Sequence, residues 1–136
     1  MHYSQQRSAV NSTLELGISG SVDVLRVRFQ GFIDVAELGE RLHGILERLR
    51  RETPSGLLCD LRPVAGYGPG TPGLAREGLV LARQVGVRRV ALVVNSSVVR
   101  TAAQLLARNL RLELRCFLGE AEALRWLDGL GANVSH

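Results

Sequence analysis

Residues 57–59 read Leu-Leu-Cys and are followed by Asp60, and residues 90–94 read Val-Ala-Leu-Val-Val. Both runs are apolar at successive positions, so both faces of each predicted strand must be covered by other parts of the chain. Helical patterns separate these strands from each other and from their neighbours. Strands that alternate with helices favour βαβ crossovers. The two runs therefore predict the centre of a mainly parallel α/β sheet.

Alternating apolar residues predict three further strands. Leu14–Ile18 and Leu25–Phe29 have the period of half-buried strands, and the short Gly20-Ser21 turn between them requires an antiparallel hairpin. Gly31 is expected to end the second strand, and Leu112–Cys116 predicts an edge strand. The predicted fold class is α/β, with a mixed, mainly parallel five-stranded sheet in the order β-β-α-β-α-β-α-β-α.

Four helical patterns lie between and after these strands. Asp34 and Glu37 have the spacing of a capping box at the start of the first helix, and Asn95-Ser96-Ser97 predicts a cap for the third. Gly119–Leu130 predicts the last helix. We expect one domain over residues 14–130, with residues 1–13 and 131–136 as loose tails.

Composition limits the classes of function. The net charge is +4, and all 17 basic residues are arginine. Because they are interleaved with acidic residues and few aromatics accompany them, nucleic-acid binding is not expected. No apolar stretch approaches the roughly 20 residues of a membrane span. Met1–Thr13 lacks the apolar core of a signal peptide. A cytoplasmic location is expected.

No residue pattern points to catalysis or to a metal. Cys59 and Cys116 fall in separate predicted strands. They fit either small buried side chains in a reducing compartment or a disulfide or redox pair. The two cysteines and the scattered His2, His43 and His136 lack the spacing of a zinc site. The sequence therefore predicts a non-enzymatic protein without a cofactor.

The order of several short segments resembles the STAS domain of anti-sigma-factor antagonists and related bacterial proteins. The similarity covers roughly residues 14–130. It implies strands in sequential order, with helices mostly on one face of the sheet. The segments that carry it are Val24–Phe29 with Gly31 and Asp34, Leu57–Leu61, Gly86–Val93, and Cys116-Phe117 followed by Glu120–Leu127.

In the STAS family, the regulatory site is a phosphorylatable Ser or Thr at the start of the helix after the central strand, typically within an Asp-Ser-Ser-Gly run. The opening Asp60-Leu61 followed by Val64 matches the family pattern, but the Asp-Ser-Ser-Gly run is absent. The resemblance leaves Thr71 as the residue that could accept a phosphate.

The segment Arg62–Gly73 is rich in glycine and proline and is expected to form neither helix nor strand. Long irregular loops in compact domains are often functional. Gly70 permits close backbone approach, Tyr67 supplies an amphipathic contact, and the start of the following helix offers N–H groups to an anion. A stiff connector, an interaction loop and a nucleotide site all remain open, although the Lys-Ser/Thr element of a P-loop is missing.

Two further groups are candidates at the carboxyl end of the predicted sheet. Ser96 and Ser97 either cap a helix or contact a ligand, and Arg100 would add a guanidinium to a bound anion. Asp60 is either a buried acid with a raised pKa or a hydrogen-bond partner of the loop that follows it.

Our leading hypothesis is a regulatory interaction module that docks a protein partner through residues 62–73 and the following helix. The alternative is a domain that binds a small hydrophobic ligand or lipid. If helices cover only one face of the sheet, the other needs a second subunit, a ligand or the first hairpin. We therefore also expect a homodimer.

Overall fold

The computed structural model describes the backbone of residues 11–19 and 22–134 and the side chains of residues 23–129. The Gly20-Ser21 turn and residues 1–10 and 135–136 lie outside the described residues. The described strands are β1 (Asn11–Ser19), β2 (Val22–Ile33), β3 (Gly56–Asp60), β4 (Val64–Tyr67), β5 (Arg89–Val93) and β6 (Glu113–Phe117). The described helices are α1 (Val35–Glu52), α2 (Thr71–Gln84), α3 (Ser97–Leu106) and α4 (Glu120–Val134).

The main sheet has the sequential order β1-β2-β3-β5-β6, as the resemblance implies, and β6 is an edge strand of it. β1 runs antiparallel to β2, whereas β2, β3, β5 and β6 are parallel neighbours. β4 lies off this path and pairs in parallel with the end of β2. The sheet therefore has a sixth strand that the sequence analysis did not predict.

β4 forms because β2 continues past Gly31, so the prediction that Gly31 ends the strand is wrong. Gly31 has a φ of 83°, a left-handed conformation that suits glycine. Its N–H donates to the Pro63 carbonyl at 3.0 Å, and the register shifts between Gly31 and Phe32. The last residues of β2 then pair with β4. The prediction that residues 62–73 form neither helix nor strand is therefore wrong at two places: residues 64–67 are β4, and residues 71–73 are the first turn of α2.

Both faces of the main sheet are covered by helices. On the first face, α1, α2 and α3 pack on Leu25, Leu57 and Leu92 in the larger core. On the second face, Ala123 and Leu127 of α4 pack on a smaller core with the same strands. Three of the four described helices thus share a face, as the resemblance implies. Because α4 covers the other face, no uncovered sheet face among the described strands supports the predicted homodimer.

At the ends of the helices and strands, one prediction is confirmed and two are wrong. Asp34 stands at the N-cap of α1, but its side chain makes no capping hydrogen bond, so the predicted capping box is wrong. Ser96 does cap α3, because its Oγ accepts from the Val99 N–H at 3.4 Å. Residues 11–13 belong to β1 and residues 131–134 to α4, rather than to loose tails. No helix within the described residues is both long and apolar enough to cross a membrane.

The buried Arg89 fastens α4 to the second face of the sheet. Its Nε donates to Glu113 Oε1 at 2.9 Å, and its Nη1 donates to the Trp126 carbonyl of α4 at 2.6 Å. The guanidinium also lies 4.8 Å from the centre of the Trp126 ring. A planar guanidinium can serve these three partners at once, whereas an ammonium group is a compact point charge.

We expect R89K to lower the free energy of unfolding by about 2 kcal/mol, because the ammonium cannot reproduce both hydrogen bonds and the ring contact. Urea unfolding followed by circular dichroism measures this change. The matched control is R88K at the exposed neighbouring arginine, which should stay within about 0.5 kcal/mol of the wild type. Equal effects at the two positions would contradict this role of Arg89.

Candidate functional site

The candidate residues gather at the carboxyl ends of β3 and β5, where ligands of open α/β sheets commonly bind. The two strand ends are joined by a hydrogen bond from the Leu61 N–H to the Val93 carbonyl, at 2.9 Å. The chain after β3 leads through β4 to the start of α2, and the chain after β5 leads to the start of α3. The structure thus places the two predicted groups at one end of the sheet.

Asp60 ends β3 on the second face of the sheet and is only 5% exposed. Arg62 holds both of its carboxylate oxygens: Nε donates to Oδ1 and Nη2 donates to Oδ2, each at 2.9 Å. The Arg62 backbone N–H also donates to Oδ1, at 3.1 Å. This bidentate ion pair fixes the first turn after β3, and it gives both Asp60 and Arg62 a structural role.

Three residues that the sequence analysis missed extend this pair into a chain of alternating charges. Arg62 Nη2 lies 3.7 Å from Glu120 Oε1, and Arg26 Nη1 lies 2.9 Å from Glu120 Oε2. On the other side, Arg28 Nε lies 3.8 Å from Asp60 Oδ2. The parallel register of β2 and β3 pairs Arg28 with Asp60. Arg26 and Arg28 are two residues apart on one strand and therefore share a face, and this spacing was the signal in the sequence that could have predicted their place near Asp60.

The hydrogen bonds from Arg62 hold the pKa of Asp60 below its ordinary value, and Arg28 adds a smaller effect in the same direction. These effects outweigh the burial, which by itself would raise the pKa. Asp60 is therefore ionised at neutral pH, and the interpretation as an acid with a raised pKa is wrong. Its other predicted role, as a hydrogen-bond partner of the following loop, is confirmed.

The two cysteines are separate thiols. Cys59 and Cys116 both pair with Leu92, from opposite sides of β5. With strands about 4.8 Å apart, their Cα atoms are about 9–10 Å apart, too far for a disulfide. Burial raises the pKa of Cys59 to about 12 and also raises that of Cys116. Because the thiolate is the reactive form of cysteine, these raised pKa values disfavour the reactive form of both residues at neutral pH.

An apolar surface, which we call the Phe32 patch, lies beside β4. It consists of Phe32, Val35 and Tyr67, whose exposures are 49%, 37% and 36%. The Phe32 ring packs beside the loop backbone, since a Cβ at Gly66 or Gly68 would lie in van der Waals contact with it, at 3.5 and 3.6 Å. The sequence analysis named only Tyr67, because it ended the second strand at Gly31.

Thr71 is the first residue of α2, following Gly70 at the N-cap with a φ of 83°. Its hydroxyl donates to the Ile33 carbonyl at 3.3 Å, and the residue is 6% exposed. The position matches the place of the phosphoacceptor that the resemblance implies. In this conformation, however, the hydroxyl is buried and already bonded, so a kinase would require local opening of the loop.

The α3 candidates face a different part of the surface. Ser96 is used in capping α3, and Ser97 and Arg100 are exposed. Arg100 lines a shallow depression with Arg115 and Cys116 at the β6 edge. In the described part of the chain, no hydrogen bond or ion pair joins these three residues to the loop after β3. The eight predicted site residues therefore form two groups rather than one site.

A cavity of about 160 Å³ lies behind the loop, between the first face of the sheet and helices α1, α2 and α3. Leu61, Val64, Tyr67, Thr71 and Pro72 form its wall on the loop side. The loop thus borders a cavity on one side, while Tyr67 also belongs to the exposed Phe32 patch on the other. Among the described residues, no group of three metal-ligating side chains accompanies this cavity or the charged chain.

The chain is similar to known proteins in both sequence family and fold. The family model SpoIIAA-like matches residues 24–128. The chain belongs to the SpoIIAA-like family. The matched residues include β3, the loop after it, and all five side chains of the row of alternating charges from Arg28 to Arg26. It therefore supports the STAS-type resemblance on independent grounds. No curated protein matches the chain.

Solved structures share the SpoIIAA-like fold at low identity. An uncharacterised DUF3478-family protein from Shewanella loihica PV-4 has a TM-score of 0.67 and 17% identity, covering 87% of this chain and 94% of that one. Unphosphorylated SpoIIAA, an anti-sigma factor antagonist, has a TM-score of 0.65 and 15% identity, covering 88% of this chain and 99% of that one. An anti-sigma factor antagonist from Mycobacterium paratuberculosis has a TM-score of 0.63 and 18% identity, covering 87% of this chain and 93% of that one. At these identities the likeness establishes the fold.

We expect R62M to lower the free energy of unfolding by about 2 kcal/mol at neutral pH, because it leaves the buried Asp60 carboxylate without its paired donors. The lowered pKa of Asp60 contributes stability above its unfolded pKa of about 3.9, and this contribution disappears as pH falls through the folded pKa. The difference between wild type and R62M should therefore shrink between about pH 5 and pH 2. Urea unfolding at several pH values measures it.

The matched control is R28M, because Arg28 is exposed and lies 3.8 Å from the same carboxylate. We expect R28M to change the free energy of unfolding by no more than about 0.5 kcal/mol at neutral pH. A difference between wild type and R62M that stays constant down to pH 2 would show that the Asp60 pair is not its source.

Proposed function

We propose that this SpoIIAA-like protein is a non-enzymatic regulatory module, which binds a protein partner through residues 62–73, the start of α2 and the Phe32 patch. The observation that carries the proposal is the exposure of three large apolar side chains beside a loop whose course is fixed. Exposed apolar surface next to a rigid backbone is suited to protein contact.

The charged chain beneath the loop supports this proposal. Asp60 and Arg62 fix the first residues after β3. The Gly68 N–H donates to the Ile33 carbonyl at 2.9 Å and fixes the middle of the loop against β2. A segment held in one conformation loses little entropy when a partner binds, so these bonds favour recognition.

Family membership suggests the kind of partner. Two of the structural neighbours are described as anti-sigma factor antagonists. By analogy we propose a regulatory protein partner of the anti-sigma-factor type, met in the cytoplasm. Homodimerisation remains a separate prediction, without support from an uncovered sheet face.

The geometry of the loop limits the access of a kinase to Thr71, the candidate phosphoacceptor. SpoIIAA has been solved in unphosphorylated and phosphorylated forms. In the present chain, Thr71 is the corresponding candidate, and its hydroxyl must first leave the Ile33 carbonyl. We propose that any phosphate transfer to Thr71 requires the loop to open, so that partner binding and phosphorylation compete for different loop conformations.

We expect the double variant F32S/Y67S to lose its partner by at least tenfold in affinity capture from extracts of the source cells, measured by quantitative mass spectrometry. The two substitutions remove the central apolar contacts of the Phe32 patch. The control V98S/L105S removes two exposed apolar side chains from α3, whose exposures are 66% and 56%. It should keep the same partner.

Both variants must first show wild-type circular dichroism and cooperative urea unfolding, so that loss of folding is not mistaken for loss of binding. A protein that is captured by wild type and control but lost with F32S/Y67S supports docking at the patch. An unchanged set of captured proteins with F32S/Y67S would contradict it.

The alternative function, binding of a small hydrophobic ligand, is favoured by the apolar cavity behind the loop. Its volume of about 160 Å³ is smaller than the roughly 300–1,000 Å³ of sites for drug-sized molecules. A long-chain lipid would not fit in the conformation seen here. The alternative is therefore restricted to small molecules.

A further inference from the structure

The cavity between the sheet and helices α1–α3 is lined almost entirely by hydrocarbon. Among the described side chains that line it, none is charged, and the polar ones are Cys59, Tyr67 and Thr71. The Cys59 thiol stays protonated, because burial raises its pKa to about 12. The Thr71 hydroxyl already donates to the Ile33 carbonyl. A charged or strongly polar ligand would therefore lose its hydration without gaining partners.

The volume of the cavity narrows the ligand class further. An engineered cavity of about 150 Å³ lined by Leu, Ile and Phe stays dry and binds benzene or xenon. The present cavity has about 160 Å³ and a similar lining. It therefore has room for one aromatic ring or a short alkyl chain. Small residues on the helices, Ala75 and Gly78 of α2 and Ala102 and Ala103 of α3, leave this space.

The cavity shares residues with the segment 62–73, which we call the docking loop. Tyr67 lines the cavity and contributes to the exposed Phe32 patch. Ile33 also lines the cavity, and its carbonyl accepts hydrogen bonds from Gly68 and Thr71 of the loop. A movement of the loop away from β2 would therefore open the cavity wall, and a molecule in the cavity would contact the inner side of the loop.

We infer that a small neutral apolar molecule binds in this cavity and holds the docking loop in its closed conformation. The bound molecule supplies contacts that the cavity wall otherwise lacks, and loop opening would remove them. A ligand that binds the closed form alone lowers the population of the open form. The inference rests on the proposed docking function for its biological meaning, but the binding and the loop response can be measured without any partner.

The experiment measures amide hydrogen exchange in the full chain by NMR, with and without benzene near its solubility limit. We expect benzene to slow exchange at Gly68 by at least threefold, because the Gly68 N–H donates to the Ile33 carbonyl of β2 and so reports on loop closure. The N–H groups of Thr71 and Leu74 donate to the Gly68 and Gly70 carbonyls within the same segment, so their exchange reports on the local loop and helix structure instead. Xenon, detected by its own NMR signal, serves as a second probe of the cavity.

Two cavity variants and one control test the location. A103L adds three carbon atoms to the cavity from α3, and A75V adds two from α2. Each should therefore remove most of the slowing of amide exchange that benzene causes in the loop. L105A is the control, because Leu105 neighbours the lining on α3 but is 56% exposed. It should respond to benzene like the wild type. Having two variants on different helices allows the test to proceed if one fails to fold.

Three results would overturn the inference: no binding of benzene or xenon to the wild type, an equal loop response in A75V or A103L, or binding that leaves exchange at residues 64–74 unchanged. The last result would leave a cavity that binds ligand without affecting the loop. None of these results bears on partner capture, so failure of the coupling is distinguishable from failure of the docking proposal.

Discussion

β3 lies between β2 and β5 with both of its faces buried, and the arrangement of the domain follows from this constraint. Leu57 and Leu58 point to opposite faces and are 4% and 1% exposed. Each face therefore needs its own cover: α1, α2 and α3 on one and α4 on the other. On the second face, Leu127 of α4 packs directly over the start of β3, where a Cβ at Gly56 would touch its side chain at 3.4 Å. Arg89 then fixes α4 through its backbone.

The sequence allowed prediction of the elements whose signal is local. The unbroken apolar runs of β3 and β5, the alternation in β6 and the Ser96 cap all depend on neighbouring residues. β4 could not be predicted in this way, because glycine and proline surround a segment too short to show alternation. Its pairing partner is the end of β2, where Phe32 pairs with Gly66 and Ile33 with Tyr67, and Gly31 allows that strand to continue. The Asp34–Glu37 spacing was present without its hydrogen bond, so spacing alone did not determine the cap.

The candidate site divides in the same way. Asp60 was predictable because an acid that ends an apolar strand must find a partner, and Arg62 is two residues away. Arg26, Arg28 and Glu120 join them only through strand register and the placement of α4, which no local pattern contains. Ser97 and Arg100 share the carboxyl end of the sheet with the loop but belong to a different surface. Residues that lie at the same end of the sheet therefore do not all belong to one site.

The two sides of the docking loop differ in how much they can change. On the second face of the sheet, the Asp60–Arg62 contact uses both carboxylate oxygens, and displacement of Arg62 would leave a buried charge unpaired. On the first face, the middle of the loop lies against the cavity and is held to β2 by hydrogen bonds from Gly68 and Thr71 to the Ile33 carbonyl. Two neutral hydrogen bonds cost less to break than a buried ion pair, so the middle of the loop is easier to displace than its beginning. A partner at the Phe32 patch and a molecule in the cavity would act on this same middle segment, from outside and inside respectively.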